Sequence, residues 1–287
     1  MSAETTTDEV LEGVDLTGKT VLITGASAGL GIETVRALQS KGAEVVGAVR
    51  DIEKGMGVVD CDLVELDLAD LESVRRGAHA AADRLPRIDL LINNAGVMAT
   101  PLMRTAQGFE LQLGTNHLGH FLWTKELLGN LAPDARIINL SSRGHFRGGM
   151  RWDDPHFTAD PSAYDKWVAY GQSKTANILF TKGLAARGRT SYALHPGVIL
   201  TELGRHLSAE DSEGLAKRLP TFKTIPQGAA TTVYAAVADG IPNGSYLEDA
   251  GVAGPVNADY SAGYMDWAVD PAEAERLWTW SEEQTAL

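Results

Sequence analysis

Thr20-Val21-Leu22-Ile23-Thr24-Gly25-Ala26-Ser27-Ala28-Gly29-Leu30-Gly31 carries the architecture of this chain in twelve residues. The first five form a short, β-branched apolar run stopped by glycine, the pattern of a strand buried on both faces. Beyond Gly31, Ile32, Val35, Ala37 and Leu38 fall at helical spacing, and Lys41-Gly42 ends the stretch with a cation and a C-terminal glycine. Between strand and helix, Gly25, Gly29 and Gly31 let the backbone turn sharply and come close to a phosphate group. The free amides and the dipole of the helix start favour its negative charge.

The same alternation continues downstream. Glu44 to Val49 reads as a second buried strand, followed by a strand near Leu63 to Leu66, a helix from Asp70 to about Arg84 and a strand at Asp89 to Asn93. Later units are helix Thr115 to Leu131, strand Arg136 to Leu140, helix Ala169 to Arg187 and strand Ser191 to Leu194. Strands alternating with helices imply right-handed crossovers and a parallel sheet covered on both faces, an α/β doubly wound Rossmann-type fold. One domain is expected over residues 16–287, behind a flexible leader at 1–15. Two stretches break the rhythm, Arg143 to Lys166 and Thr201 to Pro226, the second with two short helical patterns flanked by Pro220 and Pro226. Both follow strand ends, where open α/β sheets bind ligands, so they are expected as substrate-facing walls and lid.

Of the 287 residues, 44% are hydrophobic, enough to bury a substantial core. A formal net charge of -13 argues against a nucleic-acid or anionic-membrane surface, which needs clustered Lys and Arg. Cys61 is the sole cysteine, so no intrachain disulfide forms and a reducing cytoplasm fits. Met1 to Asp15 lacks a signal-peptide pattern, and no apolar run approaches a membrane span.

The spacing T-G-x-x-x-G-x-G resembles that of the short-chain dehydrogenase/reductase family, and further motifs follow in the family's order. Asn93-Asn94-Ala95-Gly96 ends the fourth strand, Asn116 lies on the next helix, and Ser141-Ser142 ends the fifth strand. Tyr170-Gly171-Gln172-Ser173-Lys174 supplies Y-x-x-x-K, and Pro196-Gly197 follows the sixth strand. Asn116-His117-Leu118-Gly119-His120-Phe121 and Ala169 to Asn177 look like the retinol-dehydrogenase and protochlorophyllide-reductase-like branch. The resemblance implies an oxidoreductase moving hydride between a nicotinamide and a small apolar carbonyl or secondary alcohol. It places Gly25, Ser27, Gly29, Leu30 and Gly31 on the pyrophosphate, Asp67 and Leu68 at the adenine, and Asn94, Ala95 and Gly96 beside the ribose. Tyr170, Lys174, Pro196, Gly197, Ile199 and Thr201 complete the implied cofactor contacts.

The choice of coenzyme is read at the end of the second strand, Val49-Arg50-Asp51. An acidic residue there favours a free 2′-hydroxyl, whereas arginine favours a 2′-phosphate. Arg50 therefore points to NADP(H) over NAD(H), with Asp51 as an alternative surface partner for the same guanidinium.

Hydride transfer to a carbonyl leaves negative charge on oxygen, so the site needs a proton donor and a polarising group. Tyr170 offers a phenol, and Lys174, one helical turn on, shares its face. Lys174 beside an oxidised nicotinamide is expected to depress the phenol's pKa. Ser142 is the candidate for a second hydrogen bond to the substrate oxygen, with Ser141 its rival. By the resemblance, Lys174 bonds the ribose hydroxyls and Asn116 holds a water that relays protons.

His117 and His120 lack a third ligand at supporting spacing, so packing or capping is expected and no metal. Asp153-Asp154-Pro155 reads as a turn rather than an acid/base pair. Trp152, Phe157 and Trp167 either line a pocket or anchor their loop. A non-catalytic NADP-binding sensor would lack the Tyr-Lys pair. A nucleotide-sugar epimerase or dehydratase would carry a different glycine spacing and a larger C-terminal domain. Relatives' habits imply a homodimer or homotetramer through the helices bearing Asn116 and Tyr170. Pro271 to Gln284, with Leu277, Trp278 and Trp280, either caps the pocket or forms an interface.

Overall fold

The protein's structure, a computed structural model, describes residues 1–218 and 222–286. A short helix α1 (Thr7–Val10) precedes β1 (Thr20–Thr24), α2 (Gly29–Gln39), β2 (Glu44–Val49), α3 (Ile52–Met56), β3 (Asp62–Glu65), α4 (Leu71–Arg84) and β4 (Ile88–Asn93). Next come α5 (Leu111–Leu113), a π-helical turn (Gly114–Leu118), α6 (Gly119–Leu127), β5 (Leu131–Leu140), α7 (Lys166–Ala186) and β6 (Thr190–His195). The chain continues through α8 (Ala209–Arg218), α9 (Ile225–Val237), β7 (Tyr246–Glu248), β8 (Gly251–Val252), α10 (Asp266–Val269) and α11 (Pro271–Thr285).

The strands form one sheet in the order β3-β2-β1-β4-β5-β6-β7-β8, parallel except for the last pair. This is the expected single-domain Rossmann-type fold. Every residue of β4 is buried, because helices cover both faces. On one face Val21, Ile23 and Ile92 pack with Val35, Leu38 and Val233 from α2 and α9; on the other, Leu22, Leu91 and Ile137 pack with α4, α6, α7 and α11. Chain order reverses between β1 and β4, which opens a crevice above their carboxyl ends. Among the described residues no helix is long and apolar enough to cross a membrane.

The flexible leader expected over residues 1–15 is not what forms. Thr6 and Glu9 make a reciprocal capping box, Val10 and Leu11 are buried, and the Thr7 hydroxyl donates to Glu33 on α2. Arg36 then bridges Glu33 and Asp8 at 2.7 and 2.8 Å, so side chains outweigh fraying here. The helix expected from Thr115 to Leu131 starts earlier and is broken by the π turn around Asn116. β7 and β8, three and two residues long, are too short to leave a periodic signal. Pro220 lies outside the described residues.

Helix α11 packs one of the C-terminal aromatics, Trp278, against the core. Trp278 meets Phe121 at 5.1 Å and Phe180 at 6.0 Å, while Ser281 bonds His117 at 2.7 Å. Lys125–Glu282 and Arg187–Glu275 ion pairs tie α11 to α6 and α7. The segment therefore covers, within the chain, part of the helical face through which a second copy was expected to dock.

Candidate active site

The crevice is a cavity of about 650 Å³ running from the glycine-rich turn to Tyr170 and Lys174. Of the residues expected on the cofactor, all but Gly31 line it; of the four catalytic candidates, all but Asn116 do. Gly31 acts one layer deeper. A Cβ there would sit 2.1 Å from the Gly25 carbonyl oxygen, so only glycine lets α2 start this close to β1. Gly25 adopts φ +72°, and a Cβ on it would press on Ala95 at 3.0 Å. Ala28 gives α2 no side-chain cap, which leaves its first amides available to the cavity. Close backbone and an uncapped helix start together fit a pyrophosphate.

Thr24, not singled out by sequence, organises this end. Its hydroxyl oxygen accepts the amides of Asn94 and Ala95, both at 3.0 Å, which fills its lone pairs. Its proton is therefore left for His120 Nε2 at 2.9 Å, and His120 Nδ1–H donates to the Asn116 carbonyl at 3.0 Å. Burial holds His120 neutral, with its pKa pulled down to about 4. Asn94 Nδ2 also bonds the Thr24 carbonyl at 2.8 Å, so β1, the Asn-Ala-Gly segment and the Asn116 turn form one network.

At the adenosine end Arg50 is exposed and lines the cavity, and Asp67 closes β3 by accepting the Ala69 amide. Asp51, the alternative partner for Arg50, instead caps α3 by accepting the Lys54 amide at 2.9 Å. Lys54 pairs with Glu202 at 2.9 Å, joining this end to the segment after β6.

At the other end the two serines separate. Ser141 donates to the Lys174 carbonyl at 2.7 Å and is spent on backbone, whereas Ser142 accepts the Gly144 amide and lines the cavity with Tyr170. Lys174 Nζ lies 5.6 Å from the Tyr170 ring centre and donates to the Leu140 carbonyl at 2.9 Å. The protein alone, without the oxidised nicotinamide that the expected depression also needs, sets both groups by burial. Burial pushes Tyr170 up to about 12, opposed by its bond to Ser142, and burial pulls Lys174 down to about 7.

Asn116 lies behind the cavity wall rather than on it. Its side chain exchanges bonds with the Val97 backbone at 2.8 and 2.9 Å and donates to Ser173 at 2.9 Å. Both of its amide hydrogens are used, so the residue holds the Val97 turn against α7.

The first interruption contributes Arg143, Gly144, Arg147 and, just beyond it, Trp167 to the cavity. The three aromatics divide: Trp167 lines the site, Phe157 is fully buried against Tyr164, and Trp152 meets Trp280. Asp154 accepts the amides of Thr158, Ala159 and Asp160, which makes the Asp-Asp-Pro stretch a turn. From the second interruption, Leu203, Leu207 and Phe222 line the cavity.

A family model described as short chain dehydrogenase matches residues 19–153. Human "Retinol dehydrogenase 12" is 42% identical over 82% of this chain and 79% of its own length. The chain belongs to the short-chain dehydrogenase/reductase family. Within it, this oxidoreductase falls in the retinol-dehydrogenase-like branch. A Streptomyces lividans protein named "Probable oxidoreductase" is 42% identical over 94% of this dehydrogenase/reductase and 98% of its own length. An uncharacterized protein from Mycobacterium paratuberculosis, solved by crystallography, superposes with TM-score 0.76 at 36% identity and covers 100% of this chain and 97% of its own.

Proposed function

We propose that this dehydrogenase/reductase uses NADP(H) to interconvert a small to medium apolar carbonyl and the corresponding secondary alcohol, with Tyr170 as general acid and base. The observation that carries the reading is the buried Tyr170 phenol, set with Ser142 and Lys174 on the wall of the cavity that the glycine-rich turn also lines. NADPH, when bound, supplies the hydride. Tyr170 gives its proton to the substrate oxygen, and Ser142 donates a second hydrogen bond to that oxygen. Lys174 holds the nicotinamide ribose, with Pro196, Gly197, Ile199 and Thr201 alongside. Asn116 keeps the Val97 turn and Ser173 in register behind the pair.

Preference for NADP(H) rests on Arg50, free of Asp51 and placed on the cavity wall, where it meets a 2′-phosphate through charge-assisted bonds. A metagenomic blue fluorescent protein, solved in complex with NADPH, shares 25% identity and TM-score 0.64 with this chain, which supports the same coenzyme. Trp167, Leu203, Leu207 and Phe222 favour an apolar substrate. The lone, half-buried Cys61 suits a reducing cytoplasm. Following NADPH absorbance against aldehydes, ketones and quinones tests the reading: turnover of an apolar carbonyl is expected, and inertness toward the whole panel contradicts it.

A further inference from the structure

After Ser142 the chain makes a short 3₁₀ turn, Arg143–Arg147, which two glycines let press onto the start of α7. A Cβ on Gly144 would stand 2.8 Å from Tyr170 Cε1. One on Gly171 would stand 2.7 Å from the Gly144 carbonyl oxygen and 2.9 Å from Arg147 Cβ. The Thr175 hydroxyl donates to the Gly148 carbonyl at 2.7 Å, and the Trp267 indole N–H donates to the His145 carbonyl at 3.2 Å. The root of the Arg147 side chain is thereby fixed beside the residue that follows Tyr170.

From that root the Arg147 guanidinium extends over the Trp167 ring, 5.4 Å from its centre, and both residues line the cavity with Tyr170. Trp167 precedes Tyr170 by three residues on α7 and so shares its face. Two other cations on this side already meet acids: Lys166, 5.9 Å from the same ring centre, pairs with Asp211, and Arg143's charge acts on Glu248 of β7. Among the described residues Trp167 is the one partner of the Arg147 guanidinium. The carboxylates that line the cavity are engaged elsewhere, Asp51 and Asp67 by backbone amides and Glu202 by Lys54. On a chain of formal net charge -13, an arginine left without an acid at the Tyr170 end makes that end locally cationic, which favours a ligand of opposite charge.

We propose that Arg147, stacked on Trp167, binds a carboxylate carried by the substrate, so that this reductase takes oxo acids whose carbonyl and carboxylate are joined by an apolar chain. The proposal rests on the reductase reading and narrows its substrate class. A guanidinium stacked on an indole keeps its N–H edges free, and that planar fork matches the two oxygens of a carboxylate. The carbonyl goes to Ser142 and Tyr170, the chain takes the apolar wall of Leu203, Leu207 and Phe222, and the carboxylate lies at Arg147. Trp167 stands about one helical turn, roughly 5 Å, along α7 from Tyr170, which calls for several carbons between the two groups.

The placement is built rather than incidental. Glycine inside a helix weakens it, and Gly171 stands where a methyl group would push the turn, and Arg147 with it, away from α7. Arg147 is exposed yet lines the cavity, so an entering substrate covers it and strengthens the charged hydrogen bond by displacing water.

A straight-chain oxo acid and its methyl ester share the carbonyl and the chain and differ only in the charge at the far end. With NADPH absorbance as the readout, the wild type is expected to favour the acid by about tenfold in kcat/KM, chiefly through a lower KM. Arg147→Gln is expected to bring the acid-to-ester ratio close to one. Arg147→Lys, the milder change, keeps the charge but loses the fork, and a ratio of about threefold is expected. Equal use of acid and ester by the wild type, or an acid preference that survives in Arg147→Gln or stays undiminished in Arg147→Lys, overturns the assignment while leaving the reductase reading intact. A wild type that reduces neither compound nor any other carbonyl overturns the reductase reading, and the oxo-acid assignment with it.

Discussion

At the glycine-rich end of the cavity Thr24, Asn94 and His120 close one hydrogen-bonded network, whereas at the carboxyl ends of β6 and β7 buried polar atoms of His195, Tyr246 and Glu248 find no partner among the described residues. The first end is shaped by backbone. Gly25 and Gly31 occupy positions a Cβ would obstruct, and the network tolerates no slack. The second end is assembled from side chains, and its wall after β6 is held by ion pairs such as Lys54–Glu202 and Lys166–Asp211. Surface pairs contribute only about 0–1 kcal/mol each, so this wall can adapt while the turn cannot. A constant ligand suits the stiff end and a variable one the adaptable end.

The contrast breaks most visibly at the glycines. Gly31→Ala forces a Cβ to within 2.1 Å of a carbonyl oxygen, and roughly 100-fold weaker NADPH binding is expected by fluorescence titration. Gly204→Ala at the adaptable end meets nothing closer than 3.2 Å and leaves binding unchanged. Equal effects of the two substitutions would erase the distinction.

Acid sharpens it next. His120 folds neutral, pulled down from the ordinary 6.5 to about 4. As pH falls below 6.5, the unfolded chain takes up a proton that the folded one refuses, so stability drops down to about pH 4. The loss approaches 3 kcal/mol, at about 1.4 kcal/mol per pH unit. Urea melts of His120→Gln from pH 7 to 4 are expected to lose one proton's worth of that slope, with His117 and His145 supplying the remainder.

Smaller effects belong to the cavity's charged rim. Arg50→Gln is expected to lower the NADPH-to-NADH ratio of kcat/KM by about 10- to 100-fold, the worth of a charged hydrogen bond. Glu202→Gln frees Lys54 and the wall after β6; a change in KM of no more than about threefold is expected, fading as salt is raised.

The stiff end was largely legible in the sequence because local rules write it: a glycine-stopped apolar run, helical spacing, and motifs fixed to strand ends. Tyr170 and Lys174 were equally plain, being one turn apart on one helix. The resemblance favours Ser142 over Ser141, and the physical reason shows only in the fold, where the α7 backbone consumes the Ser141 hydroxyl. Thr24 and His120 lie 96 residues apart, and nothing in either neighbourhood announces their bond. The pairing of His195 with Glu248 depends on the register of β7, a strand of three residues. The ordered N-terminus and the covering role of α11 likewise rest on distant partners, Glu33 and Phe121 among them.

Tyr170→Phe separates binding from chemistry in one variant. With the phenol oxygen gone and the glycine-rich end untouched, NADPH is expected to bind within about twofold of wild type while carbonyl reduction falls by about 10²- to 10⁴-fold. Turnover close to wild type in that variant would mean that another group protonates the substrate oxygen, contradicting the role given to Tyr170.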